Sequence, residues 1–227
     1  PAIQEMRRLV ADGAIGRLMA AELRWVTTQV KLRDPAHWLF KRDVAGGGIV
    51  SWLGCHLLDA LRYVSGEEYV SAVALTGTLN GEPIDVEDVA AVAMRLSGGG
   101  LATLHTGYMY PSGVAGYQGA RHDQVLALRG TLGSVVYQPL QPDRQLVLES
   151  VAPGYRTNGE RVYRFSLPAS PAYGGVHGEE FVRAFLRAAL ERGTPPAGPT
   201  DALRVLEVFD AIYAAAATGR EVPVRTE

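Results

Sequence analysis

Cysteine is almost missing from this chain: Cys55 stands alone in 227 residues. No internal disulfide can form, so nothing requires an oxidising compartment, and the cytoplasm is the expected location. Lysine is nearly as scarce, with only Lys31 and Lys41 among 22 basic residues. A reaction that needs a lysine of shifted pKa must use one of these two or a group outside this chain, because arginine stays protonated. No unbroken run of about 18 apolar residues occurs, so no membrane span is expected. No basic segment followed by an apolar core opens the chain, as a signal peptide would. Neither sign of charge dominates: 22 basic against 24 acidic residues leave a formal net charge of -2, no field to draw nucleic acid. H-E-x-x-H and C-x-x-C are absent and the five histidines are scattered, so no metal site is expected. G-x-S-x-G, the P-loop pattern and a G-x-G-x-x-G following a strand are also missing.

What is present is apolar. Hydrophobic residues make up 47% and charged residues 20%, enough buried surface to offset chain entropy and exclude disorder. Glycine (26) and proline (13) together exceed their usual share, roughly 12%, and imply many turns. Residues 1–12 read as a helix, with Pro1 at its start, a stripe of Ile3, Met6, Leu9 and Val10, and Gly13 as its stop. A chain opening directly in a helix is expected to be a fragment. Residues 17–30 read as a long strand, and a loop through Asp34-Pro35 carries His37 and Trp38. Residues 48–64 are apolar almost all round and read as a buried helix ended by Gly66.

From 69 to 167 the pattern changes. Segments 70–79, 87–96, 100–110, 123–129, 133–138, 145–151 and 161–167 are short and rich in Val, Leu, Thr and Tyr. Turns at Asn80-Gly81, 98–100, 130–133, Pro153-Gly154 and Asn158-Gly159 separate them, which predicts an antiparallel sheet. In 161–167, Arg161, Tyr163, Phe165 and Leu167 share one face. Two helices close the chain: 178–192, with Phe181, Phe185 and Leu190 on one side and Gly193 as stop, and a second capped by Thr200. The second carries a stripe of Leu203, Leu206, Phe209 and Tyr213 and ends at Gly219. Helices bracketing a run of strands give an α+β class: one large, mostly antiparallel sheet with helices on one face.

Three features carry possible chemistry. The turn at Gly46, Gly47 and Gly48 opens a helix, so its N–H groups could hold an anion; equally, it could be a tight turn that lets a buried helix approach the sheet. Trp52, His56, Asp59 and Tyr63 follow 4-3-4 spacing on one helix face. His56 is either a core histidine satisfied by Asp59 or a carbonyl, or an imidazole facing a pocket and acting on a substrate hydroxyl. Lys41 and Arg42, near Trp38, are solvated charges or contacts for a polar substrate. His105 reads as structural, and Arg121-His122-Asp123 as a strand edge or partner contact. His177 reads as an N-terminal loop residue of its helix.

The segment AGGGIVSWLGCHLLDALRYVSG resembles the signature of the Gfo/Idh/MocA oxidoreductases, in which three glycines precede an Asp, then His four residues further, then Asp three residues after that. Gly46, Gly47, Gly48, His56 and Asp59 match. Pro1 through Gly13-Ala14-Ile15-Gly16 resembles that family's entry into its C-terminal domain. GTLGSVVY resembles a recurring strand turn, and residues 193–224 resemble its closing helix. The resemblance implies a substrate and oligomerisation domain, its open sheet face pairing subunits as a homodimer or homotetramer. A Rossmann domain that binds NAD or NADP and carries a catalytic lysine is missing from this chain. It implies catalysis by His56, with Trp38, Lys41, Arg42, Trp52 and Asp59 toward a sugar, cyclitol or polyol and the three glycines toward the cofactor. The family's catalytic Asp falls at position 52, where this chain has Trp52, and an indole cannot accept a proton. Two other readings follow: an interaction module that pairs through its sheet, or a relative using NAD for elimination or glycoside cleavage.

Overall fold

A computed structural model describes residues 1–111, 121–156 and 159–225. Helix α1 (Ala2–Ala11) and strand β1 (Leu18–Thr28) come first. Two 3-10 turns, Val30–Leu32 and Trp38–Phe40, and a one-turn helix α2 (Arg42–Ala45) lead to a π turn, Val50–Gly54, and helix α3 (Cys55–Ser65). Strands β2 (Tyr69–Gly77), β3 (Val89–Leu96), β4 (Leu101–Tyr110), β5 (His122–Gly130), β6 (Gly133–Tyr137), β7 (Leu146–Ser150) and β8 (Arg161–Tyr163) follow. Helices α4 (Gly175–Glu191) and α5 (Pro199–Thr218) and a short β9 (Val222–Pro223) complete the order.

The strands form one sheet, β8-β7-β6-β5-β1-β4-β3-β2-β9. Every pair is antiparallel except β1 with β4. Alternation along the strands sets the two faces. One face buries Leu23, Leu104, Val92, Ala72 and Leu126 against Met6 and Leu9 of α1, Leu57, Leu58 and Leu61 of α3, and Val208 and Ile212 of α5. The other face stays open and carries Glu22, Arg24, Thr103, His105, Arg95 and Val73. This is the α+β class expected from the sequence.

Several local expectations change. The 48–64 segment is not buried all round: Leu57, Leu58, Leu61 and Val64 face the core, while His56 and Tyr63 are exposed. The stretch Arg42–Ser65 has the length and mean hydropathy of a membrane span. It is broken at Gly46, whose φ of +75° ends α2, and half of its apolar 18-residue window packs into the protein interior. The stop of α4 is Arg192 in the left-handed region at φ 53°, not Gly193. The cap of α5 is Gly198, whose N–H donates to Asp201 Oδ2 at 2.8 Å, so Thr200 lies inside the helix. The buried stripe of α5 is Val205, Val208, Phe209, Ile212 and Ala215, leaving Leu203 and Leu206 exposed. No residue of α4 is buried, so Phe181, Phe185 and Leu190 do not pack as expected. Only the first three residues of 161–167 join the ladder. The Asn158-Gly159 turn lies partly outside the described residues.

Candidate active site

The helix start is built around a carboxylate. Glu87, just before β3, is 3% exposed. Its oxygens accept the N–H of Gly48 at 2.9 Å and of Val50 at 3.1 Å, and Tyr213 Oη donates to it at 3.0 Å. Its backbone oxygen also accepts from the N–H of Ile49 at 3.1 Å. Free N–H groups at a helix start attract negative charge, and the anion they hold here belongs to this chain. A Cβ on Gly48 would lie 2.0 Å from the Glu87 backbone oxygen, and one on Gly47 would lie 1.9 Å from Tyr213 Oη. The glycines therefore serve close approach of the helix to its neighbours. Gly48 N–H is thus taken up by Glu87 and is not free for a cofactor phosphate.

The π turn that follows widens the helix by one residue per turn and carries Trp52. The Trp52 ring stands 6.4 Å from the exposed Trp38 ring and nearly perpendicular to it, an edge-on pair. His37 caps the turn that carries Trp38, its Nδ1 accepting from Leu39 N–H at 3.3 Å. Trp38, Trp52, Ser51, Asp210, Tyr213 and the Gly46-Gly47 backbone border a groove of about 370 Å³. Lys41 is half-buried at the edge of this loop. Arg42 is spoken for by the facing loop: its N–H donates to Asp85 Oδ1 at 2.6 Å and its Nε to the Asp85 carbonyl at 3.0 Å.

His56 sits one turn further and does not line that groove. Its ring is exposed on one side and leans on Trp25 of β1, centroids 5.7 Å apart. No hydrogen bond reaches the imidazole among the described residues, so the satisfied core histidine is not what forms. Crowding by neighbouring atoms lowers its pKa, and the Asp59 charge acts in the opposite direction. The imidazole is thus neutral near pH 7 and able to accept a proton. Asp59 is not its hydrogen-bond partner; it pairs with Arg62 at 3.6 Å, and burial raises its own pKa. Arg62 is held mainly by Glu68, with two bonds of 2.7 Å.

The structure brings Trp38 and Trp52 together and places His56 and Asp59 on the uncovered side of α3. It ties Arg42 to Asp85 instead of leaving it open. Sequence reasoning passed over Trp25 and Glu87, gave His122 a strand-edge or partner-contact role, and placed Tyr213 only in the stripe of the last helix. Trp25 shares its strand face with Leu23 and Thr27, toward the helices, and a bulky aromatic there is a legible signal. His105 lies on the open face of the sheet. Among the described residues no group of three His, Cys, Asp or Glu side chains could hold a metal.

These elements and this site define a sheet-and-helix domain that presents an exposed imidazole, without a hydrogen bond among the described residues, one turn of helix from an aromatic groove. Residues 3–136 match the model of the GFO/IDH/MocA C-terminal domain, more than half of the chain, and the chain belongs to that family. It is similar to the levoglucosan dehydrogenase of Pseudarthrobacter phenanthrenivorans, 25% identical over 96% of this chain and 62% of that protein. It is 28% identical to the 1,5-anhydro-D-fructose reductase of Ensifer adhaerens, over 97% of this chain and 60% of that protein. The chain thus spans about three fifths of the length of the curated relatives it matches. Among solved structures, levoglucosan dehydrogenase in complex with NADH superposes with a TM-score of 0.81 at 21% identity, covering 98% of this chain and 62% of that one. The aldose-aldose oxidoreductase of Caulobacter crescentus complexed with glycerol gives 0.73 at 25% identity, covering 97% and 60%.

Proposed function

We propose that this chain is the substrate domain of an NAD(P)-dependent oxidoreductase acting on a sugar, cyclitol or related polyol. The observation that carries the reading is His56: an imidazole exposed on one side, without a hydrogen bond among the described residues, whose pKa its crowded surroundings lower. Family membership and the two sugar-converting relatives support it. A neutral imidazole in reach of a secondary hydroxyl takes the hydroxyl proton as the carbon is oxidised and returns it in the reverse direction. Trp38 and Trp52 offer ring faces against which the apolar side of a sugar packs.

The described residues do not fit a dinucleotide. They contain no glycine fingerprint after a strand, and the one helix start of the right kind is filled by Glu87. NAD or NADP is therefore assigned to a further domain of a longer polypeptide, which also supplies any lysine the reaction needs. Calorimetry tests this division: the 227-residue chain is expected not to bind NADH stoichiometrically, and tight one-to-one binding contradicts it. A screen of polyols and anhydrosugars with the longer polypeptide tests the substrate class.

A second reading is favoured by Trp52 in place of the expected carboxylate and by the open sheet face. In it the domain pairs with a copy of itself through that face and performs no chemistry. Exposed Val73, Leu75 and Leu101 beside the Arg24 pairs with Glu22 and Asp123, at 2.8 Å each, give that face mixed apolar and charged character. The pairing belongs to both readings, as a homodimer or homotetramer. A strict monomer at high concentration in a sizing experiment removes it.

A further inference from the structure

We infer that Trp25 and His122 form a positioning pair for the His56 imidazole, an inference that rests on the catalytic reading of His56. In the β1–β5 ladder Trp25 stands opposite Gln124 and Thr27 opposite His122. Residues directly opposed, or two along, share a face, so Trp25 and His122 both project toward the side that α3 covers. The Trp25 indole Nε1–H donates to His122 Nδ1 at 3.0 Å. An indole nitrogen only donates, so His122 Nδ1 holds a lone pair and the neutral His122 carries its proton on Nε2. The indole is flanked by both imidazoles: its ring lies 6.0 Å from His122, nearly perpendicular, and 5.7 Å from His56, tilted by 42°.

The order of restraint follows. His122 accepts the indole N–H and stops the indole from swinging about its side-chain torsions. The fixed indole then gives His56 a wall. His56 has no hydrogen bond of its own among the described residues, so this packing sets the direction of its lone pair. The charges acting on the assembly are Arg33 on His122 and Asp59 on His56. Neither touches the indole nitrogen. A reacting group displaced by a fraction of its hydrogen-bond length loses rate without losing substrate affinity. The pair therefore acts on kcat and not on KM.

Nitrogen-15 imidazole spectra of the chain near pH 7.5 test the geometry without any activity. His122 is expected as the Nε2–H tautomer, with a nuclear Overhauser contact between the Trp25 ring and His56; an Nδ1–H His122 overturns the pair. In the longer polypeptide with its best polyol, His122→Leu and Trp25→Phe are each expected to lower kcat about tenfold with KM within about twofold. His122→Asn, whose Oδ1 replaces Nδ1 as acceptor, is expected to recover most of the loss and to keep the Trp25–His56 contact, which His122→Leu loses. The double variant is expected to be no slower than either single one, since one hydrogen bond is being removed. Equal losses in the Leu and Asn variants, additive losses, or an unchanged kcat in a folded His122→Leu protein overturn the inference. If His56→Ala abolishes turnover while His122→Leu leaves it intact, only the positioning pair falls. If His56→Ala leaves turnover intact, the catalytic reading falls and takes the pair with it.

Discussion

Both carboxylate oxygens of Glu87 lie 2.9 Å from the backbone nitrogen of Gly48. One buried side chain thereby ties the residues before β3 to the start of the helix that carries Trp52 and His56. Tyr213 of α5 donates to the same carboxylate, so three separated parts of the chain meet at one charge. A buried carboxylate is tolerated where its oxygens are fully hydrogen-bonded and the nearby helix dipole is positive.

Glu87→Ala leaves the N–H groups of Gly48 and Val50 and the Tyr213 hydroxyl without their acceptor. The expected cost is about 3 kcal/mol, a fall in Tm of about 6–12 °C for a chain of this size. Tyr213→Phe removes one donor and is expected to cost about 1 kcal/mol. Thermal unfolding of the two variants checks the ranking; equal stabilities contradict the shared anchor.

The glycines before the helix differ in what they tolerate. Gly48→Ala places a methyl 2.0 Å from the Glu87 backbone oxygen, and backbone cannot move aside as a side chain can. That variant is expected to be insoluble or strongly destabilised. Gly46→Ala meets nothing within 4 Å and carries only the strain of φ +75°, about 1 kcal/mol. Soluble yield and Tm distinguish them.

His56 is expected to titrate below its ordinary pKa of 6.5. Protonation is then easier in the unfolded chain than in the folded one. Its contribution to stability is present above pH 6.5 and declines as pH falls from there through the folded value. Asp59→Asn removes the charge that favours the imidazolium, so the folded His56 pKa is expected to fall further. Proton NMR of the ring across pH 4–8 measures both; a rise in the Asn variant contradicts the assignment.

Helix α4 exposes Phe181, Val182, Phe185, Leu186 and Leu190 and buries no residue. Phe181→Ser with Phe185→Ser is expected to change the stability of this chain by less than about 1 kcal/mol, since each surface change stays within about 0.5 kcal/mol. The same change is expected to raise solubility by removing an apolar patch. Chemical denaturation and a precipitation assay check the two effects.

The sheet was legible because strand alternation and glycine turns are local signals. β2 to β7 fall within two residues of the expected segments. Helix faces were harder. Composition made 48–64 uniformly greasy, yet the His56 side of α3 is uncovered, because burial depends on what packs there and not on the residue itself. The α5 stripe was misplaced for the same reason: Leu203 and Leu206 are as apolar as Val205 and Val208 but turn away from the sheet. At the site, His56 stands out from its 4-3-4 spacing with Trp52, Asp59 and Tyr63 and from the signature segment that contains it. Trp25, His122 and Glu87 come from distant strands and loops, and only the β1–β5 register and the approach of Glu87 to the helix start reveal them.

The most direct test of the whole account is the turnover number of His56→Ala in the longer polypeptide, measured with its best polyol and with Tm recorded alongside. Loss of a general base predicts a fall of about a hundredfold or more at unchanged Tm. A correctly folded variant that turns over within about twofold of the parent contradicts the role given to this imidazole.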